Sequence, residues 1–361
     1  MVAVLMVRSL RSLTLVKASG GARTDPQPIP VSGVPTPGNH GSSVAAPLGG
    51  PTMEPTAPPV PSLGDAEDRL AWIFGSSRSG STWLLRMLAA LDGVVPVDDP
   101  HLGHHLGVWR PLSLAWATAE FPPALTTLDR VKHDKDSYFF SDRYRDAWAP
   151  ALRNLIVDRF DAQVADTATG PDPTVVVKEP GSHVADVLVS LFPRSRLVFL
   201  LRDGRDVVDS WLAAYRPGSW ALEEGAFPVT EDGRESLLRW QSAVWAFRTE
   251  VVSRVYAAHP ADRRVLVRYE DLVADPAREL ARVCTYLAID ASADRLAEVA
   301  AEFAFAAVPR AEKGASKEIR SATPGGWRDN LTPAEHDVMH EVMGRQLAAF
   351  GYLDPEPAGL A

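Results

Sequence analysis

The pentapeptide Leu70-Ala71-Trp72-Ile73-Phe74 runs without a break into GSSRSGST (Gly75 to Thr82) and then into WLLRMLAAL, whose apolar residues recur at helical spacing. A buried strand, a glycine-bearing turn and a helix in that order leave little choice of architecture. The turn's backbone amides and the helix N-terminus converge on a site for an anion. The stretch fits the nucleotide-binding pattern Gly, four residues, Gly-Lys-Ser/Thr except at Ser81, which stands where the lysine belongs. The cation sits three residues upstream, at Arg78. A lysine in the usual place reaches the outer phosphates of a triphosphate. An arginine in the turn's crown instead offers a planar fork close to the first phosphate. The expected ligand therefore carries one phosphate bearing one further anionic group, with Ser79, Gly80, Ser81 and Thr82 around the phosphate.

Three more apolar runs each precede a helical pattern: TVVVK (Thr174 to Lys178), RLVFLL (Arg196 to Leu201) and RRVLVRY (Arg263 to Tyr269). Continuous runs of this length, each followed by a helix, read as strands of a central, mainly parallel sheet flanked by helices. This is an α/β, three-layer, P-loop-like fold. Helices are expected from about Glu235 to His259 and from Pro333 to Ala349, the second capped by Thr332. Residues 100–165 lack a clear strand and read as a mostly helical insertion that shapes an acceptor site.

Residues 1–66 differ in kind. Eleven prolines and five glycines fall within residues 26–61, a composition that cannot build a packed core, so 1–66 is expected as a disordered tail and 67–361 as the folded domain. The longest apolar run at the start, Met1 to Val7, is too short to span a membrane, and a cytoplasmic protein is expected. The alanine-, arginine- and valine-rich composition points to a high-GC bacterial source. A formal net charge of -9 argues against non-specific nucleic-acid binding, which relies on a basic surface. The one cysteine, Cys284, excludes an internal disulfide and a thiolate zinc site.

Two further segments bring cations towards the anion site. In LLRDGRDVVDSW, Arg202 follows a strand end, where open α/β sheets meet their ligands, and Ser210 lies two helical turns on. In KEIRSATPGGWRDNLT, helix breakers make a loop carrying Arg320, Trp327 and Arg328, two cations and a broad aromatic surface. In isolation, the first segment also reads as ion pairs around a helix start and the second as a surface loop anchored by a tryptophan.

Together these motifs resemble the sulfotransferases that use 3′-phosphoadenosine-5′-phosphosulfate (PAPS), over roughly Leu70 to Tyr352. SRSGSTWL is similar to that family's 5′-phosphosulfate loop, most closely the form in tyrosylprotein and many bacterial sulfotransferases. LVFLLRDGRDVVDS resembles its 3′-phosphate motif, an arginine followed eight positions later by a serine, and RSATPGGWRDNLT resembles its C-terminal loop. VRYEDL (Val267 to Leu272) also recurs in the family. The resemblance implies PAPS as donor, adenosine 3′,5′-bisphosphate as product and no metal requirement. It places Arg78 near the breaking S–O bond, Lys178 near the sulfonate, and Arg202, Ser210, Arg320, Trp327 and Arg328 around the nucleotide. The base differs between branches. Cytosolic members use a histidine two residues after the strand-end lysine, where this chain has Pro180. The tyrosylprotein branch places a glutamate 21 residues after the loop arginine, which lands here on Asp99.

The reading is direct, in-line transfer of a sulfonate to a hydroxyl, with an amine less favoured, on a small-molecule, carbohydrate or lipid acceptor. Asp99 is the base, Asp98 its alternative, and His101 and His105 stand on the acceptor side; His183 is a more distant candidate. The run His101, His104 and His105 also has the residue types of a zinc or copper site, although three such ligands on one helical turn seldom share a coordination geometry. Two other classes stay open at this level. One is a P-loop ATP-dependent kinase, which needs the lysine this loop lacks; the other is a catalytically silent nucleotide-binding scaffold recruiting partners through the tail.

Overall fold

The structure, a computed structural model, describes residues 62–106, 136–167, 170, 172–223, 226, 229–314, 316–317, 319 and 323–353. Most of the expected tail, the central part of the insertion and Arg320 lie outside the described residues. In chain order the elements that matter here are β1 (Leu70–Phe74), α1 (Ser81–Ala89), β2 (Val94–Asp98), α2 (Leu102–Leu106), α3 (Arg145–Thr167), β3 (Thr174–Lys178) and α4 (Ala185–Leu191). They continue with β4 (Arg196–Leu201), α5 (Gly204–Ala214), α6 (Trp220–Glu223), α7 (Glu231–Ala258), β5 (Arg264–Arg268), α8 (Tyr269–Ala274), α9 (Pro276–Leu287), α10 (Ala293–Glu302), α11 (Trp327–Asn330) and α12 (Pro333–Ala349).

The strands form one sheet in the order β2-β3-β1-β4-β5, with every pairing parallel. Because side chains alternate across a strand, each central strand feeds two cores. Trp72, Phe74, Val175, Val177, Leu197 and Phe199 pack on one face against α4, α5, α7 and α12. Ala71, Ile73, Val176, Val198 and Leu200 pack on the other against α1, α9 and α10. This two-sided burial explains why these strands read as continuous apolar runs. Each fully buried Val, Leu or Phe contributes about 1.5–3 kcal/mol relative to exposure.

One strand, β2, escapes the sequence reading. Its sequence VVPVD is interrupted by Pro96, which argues against a central strand. The structure resolves the conflict by placing β2, among the described residues, at the sheet edge and paired with β3 alone. Packing also starts before the expected boundary at residue 67: Leu63 is buried, and Asp161 of α3 accepts hydrogen bonds from Ser62 Oγ and from Leu63 N. The helix expected from about Glu235 begins at Glu231, and α12 starts with a full capping box between Thr332 and Glu335, an arrangement worth about 1 kcal/mol.

The strand order places the ligand-binding edge. From β1 the chain crosses to β2 on one side, and β3 connects back past β1 to β4 on the other. The turns after β1 and β4 therefore open at a topological switch point, where open α/β sheets hold ligands beyond the strand C-termini.

Candidate active site

The turn after β1 is shaped by two residues in the left-handed region, Arg78 (φ 72°) and Gly80 (φ 87°). Gly80 is the N-cap of α1, and a Cβ there would stand 2.7 Å from the Tyr269 ring, so both the dihedral and the close approach require glycine. The first amides of α1 have no partner within the helix and point out of its N-terminus. Ser79 Oγ is buried without a hydrogen bond among the described residues. The backbone thus presents donors to an anion, and Arg78 adds the local positive charge. Its Nε donates to Ser210 Oγ at 3.2 Å, and its guanidinium lies over the Trp220 ring, 5.2 Å from the centroid.

Arg202, directly after β4, joins this turn. Its Nη1 donates to the Arg78 carbonyl at 2.9 Å and its guanidinium stacks 4.3 Å from the Tyr269 ring centroid, while Nε is buried with no partner among the described residues. Arg78, Arg202 and Ser210, distant in sequence, therefore line one cavity of about 520 Å³ together with Gly80, Ser81 and Thr82. Its other wall is largely apolar, with Trp83, Phe303, Phe305, Val308 and Pro309, and also carries Glu302 and Glu312. Sequence reasoning assigned nothing to 303–309, a stretch without regular periodicity, and gave Tyr269 no role beyond the VRYEDL run.

The remaining charges of LLRDGRDVVDSW hold the structure together. Asp203 caps α5 and pairs with Arg205 at 2.7 Å, and Arg205 also donates to the Tyr352 carbonyl and lies over the Trp327 ring. Asp206 accepts from the amides of Gly325 and Trp327, fixing the C-terminal loop to α5; burial raises its pKa and these amides oppose the rise. The structure places Trp327 in the core, 5% exposed, with Arg328 exposed beside it; neither lines the cavity.

The second half of the site forms where β2 and β3 end together. Their register puts Asp98 opposite Lys178. Lys178 is only 5% exposed; its Nζ donates to Asp99 Oδ2 at 2.9 Å and to Thr82 Oγ1 at 2.8 Å, and it forms an ion pair with Asp98 Oδ1 at 2.7 Å. The contact with Thr82 ties the paired aspartates to the N-terminus of α1. Asp99 (φ 50°) and His101 (φ 57°) both adopt left-handed backbone around Pro100. Such residues cost roughly 1–3 kcal/mol each and cluster at functional sites.

The histidine run is divided rather than aligned. His101 precedes the five-residue α2, His105 is exposed, and His104 contacts the rings of both His101 and His183, with centroids 5.3 and 5.7 Å away. Burial, with the charge of Arg248 next, pushes the His104 pKa down to about 3, so this imidazole is neutral near pH 7. Among the described residues no group of three or more His, Cys, Asp or Glu is placed to hold a metal ion.

A sequence profile of the sulfotransferase family matches residues 71–293, more than half of the chain. The chain belongs to the sulfotransferase family. The sequence has no match among curated proteins. Similar solved structures include the mouse sulfotransferase SULT7A1 complexed with PAP, 14% identical, covering 79% of this chain and 89% of that one with a TM-score of 0.47. The sulfotransferase domain from the curacin biosynthetic pathway is 18% identical, covering 79% and 98% with a TM-score of 0.45. A Mycobacterium avium sulfotransferase is 14% identical, covering 78% and 77% with a TM-score of 0.45. At these identities and TM-scores the family assignment rests on the profile match. Among the described residues no helix is long and apolar enough to cross a membrane.

Proposed function

We propose that the protein transfers the sulfonate of PAPS to a hydroxyl of a small-molecule, carbohydrate or lipid acceptor. One observation carries the reading. Arg202, whose buried Nε has no partner among the described residues, lines one cavity with Arg78, Gly80, Ser81 and Thr82 of the turn, which also carries the buried Ser79 Oγ. Two anion-binding elements joined by the Arg202–Arg78 hydrogen bond suit a nucleotide phosphorylated at both its 3′ and 5′ ends. Arg202 and Ser210 would hold the 3′-phosphate with Arg320; Ser79 to Thr82 would hold the 5′-phosphate; the apolar wall offers surface for the base.

PAPS supplies an activated sulfonate. Asp99 takes the proton of the acceptor hydroxyl as its oxygen bonds to sulfur, and the bond from sulfur to the 5′-phosphate oxygen breaks, leaving adenosine 3′,5′-bisphosphate. Arg78 and Lys178 counter the negative charge that grows on the departing phosphate. Lys178 also holds Asp98 and Asp99 beside the loop through Thr82. Thermal shift with adenosine 3′,5′-bisphosphate against ATP plus magnesium tests the nucleotide: stabilisation by the bisphosphate is expected, and stabilisation by ATP alone overturns the reading. Labelled PAPS with a panel of phenols, sugars, sterols and polyketides then identifies the acceptor class.

A further inference from the structure

The residue after Lys178 had no role in the sequence reading. Glu179 is 1% exposed, and its carboxylate bridges two backbone segments. Oε1 accepts from the Gly181 amide at 2.6 Å, and Oε2 accepts from the Leu102 amide at 2.8 Å, across to the segment that carries Asp99 and His101. These segments touch without side chains between them: a Cβ on Gly103 would lie 2.0 Å from the Gly181 carbonyl oxygen, and one on Gly181 would lie 2.6 Å from Gly103 Cα. The backbone amide of Asp99 donates to the Lys178 carbonyl, closing the seam on its other side. Ser182 extends it to the phosphate loop, donating to the Gly75 carbonyl and accepting from the Gly75 amide.

We infer that Glu179 is a positioning residue: its buried carboxylate holds the turn from Asp99 to Leu102 in a backbone conformation that the turn's own residues disfavour, and so keeps Asp99 on Lys178. The turn needs such a clamp. Asp99 and His101 are non-glycine residues at positive φ, and a bend of this kind persists only where its surroundings over-determine it. An isolated buried carboxylate is costly, and this one is offset by donors on the turn it fixes. The inference rests on the proposed role of Asp99 in transfer.

The experiment compares Glu179→Gln with the wild type in the full chain, alone and in an Asp99→Asn background. Glutamine keeps the shape but presents an NH2 to one of the two amides. Hydrogen exchange is the first readout and needs no ligand. Leu102 and Gly181 amides protected in the wild type, with faster exchange in Glu179→Gln, are expected; fast exchange in the wild type, or unchanged exchange in the variant, overturns the inference. Turnover of PAPS with the best acceptor from the panel is the second. A kcat loss of about 10- to 100-fold is expected from a displaced base, with affinity for adenosine 3′,5′-bisphosphate by calorimetry unchanged and no further loss in the Asp99→Asn background. Equal losses in both backgrounds would mean general structural damage and overturn it. A wild type that neither binds the bisphosphate nor turns over PAPS would instead overturn the sulfotransferase reading, and the role of Glu179 in transfer with it. If Glu179→Gln does not fold, exchange at Leu102 in the wild type still decides the clamp.

Discussion

The guanidinium of Arg202 donates to the backbone carbonyl of Arg78 across 2.9 Å, so the strand-end arginine of one motif supports the loop arginine of another. The bond constrains the peptide that follows the left-handed Arg78, while the Arg78 side chain turns towards Ser210 and Trp220. On the proposed function, this contact would couple binding at the two ends of the nucleotide.

Arg202→Ala would therefore remove both the cation proposed for the 3′-phosphate and a support of the loop. Loss of a charged hydrogen bond of about 1.5–3 kcal/mol corresponds to roughly 10- to 150-fold weaker binding of adenosine 3′,5′-bisphosphate. Calorimetry should show a much smaller effect on a nucleotide lacking the 3′-phosphate. Equal losses for both nucleotides would place Arg202 away from the 3′ end.

Arg78→Ala is expected to lower kcat by about 10²–10³-fold, the usual consequence of removing one donor aimed at developing charge. Trp220→Ala should cost about threefold to tenfold through the lost cation–π contact, with Trp220→Phe recovering most of it. Steady-state kinetics checks both, and a Trp220→Phe variant as impaired as Trp220→Ala would exclude ring stacking as the cause.

Asp99→Asn keeps the shape of the side chain and removes its basicity. A loss of about 10²–10⁴-fold in kcat is expected, with bisphosphate affinity unchanged within about twofold. Full activity in Asp99→Asn together with loss in Asp98→Asn would move the base one residue.

Two buried groups give stability opposite pH slopes. Burial pushes Glu179 from 4.5 up to about 7. Between those values the folded chain retains a proton that the unfolded chain has released, so this contribution to stability falls as pH rises and is flat above 7. His104 is pushed from 6.5 down to about 3, so the unfolded chain binds the extra proton and stability is lost as pH falls through that range. Urea unfolding should show the wild type losing on the order of 3 kcal/mol relative to Glu179→Gln between pH 4.5 and 7, and His104→Asn should flatten the acid limb. A wild-type-minus-variant difference that does not change over these ranges would refute the assignment.

Much of the architecture was legible because it is written locally. Four strands announce themselves as apolar runs, α1 follows its glycine turn, and Thr332 with Glu335 marks the start of α12 within four residues. The edge strand β2 was hidden by Pro96, whose acceptability depends on which neighbours the strand has. Around the site, the convergence of Arg78, Arg202 and Ser210 followed from motifs at strand ends, but the division of labour among the neighbouring charges did not. In sequence Arg205 is as good a cation as Arg202, and Asp206 could pair with either; in the structure Arg205 is locked to Asp203, and Asp206 to the amides of Gly325 and Trp327.

By itself, the sequence determined a parallel α/β sheet, a P-loop-like turn with serine at the lysine position and Arg78 three residues upstream, and the order of the cationic motifs, because each depends on periodicity or turn chemistry within a short window. Tertiary structure alone decided that Lys178 is buried among Asp98, Asp99 and Thr82, that residues 303–309 wall the cavity, and that Glu179 clamps the turn beside Asp99. Sheet register and burial bring these groups together across dozens of residues, and a side chain's chemical role is set by those partners.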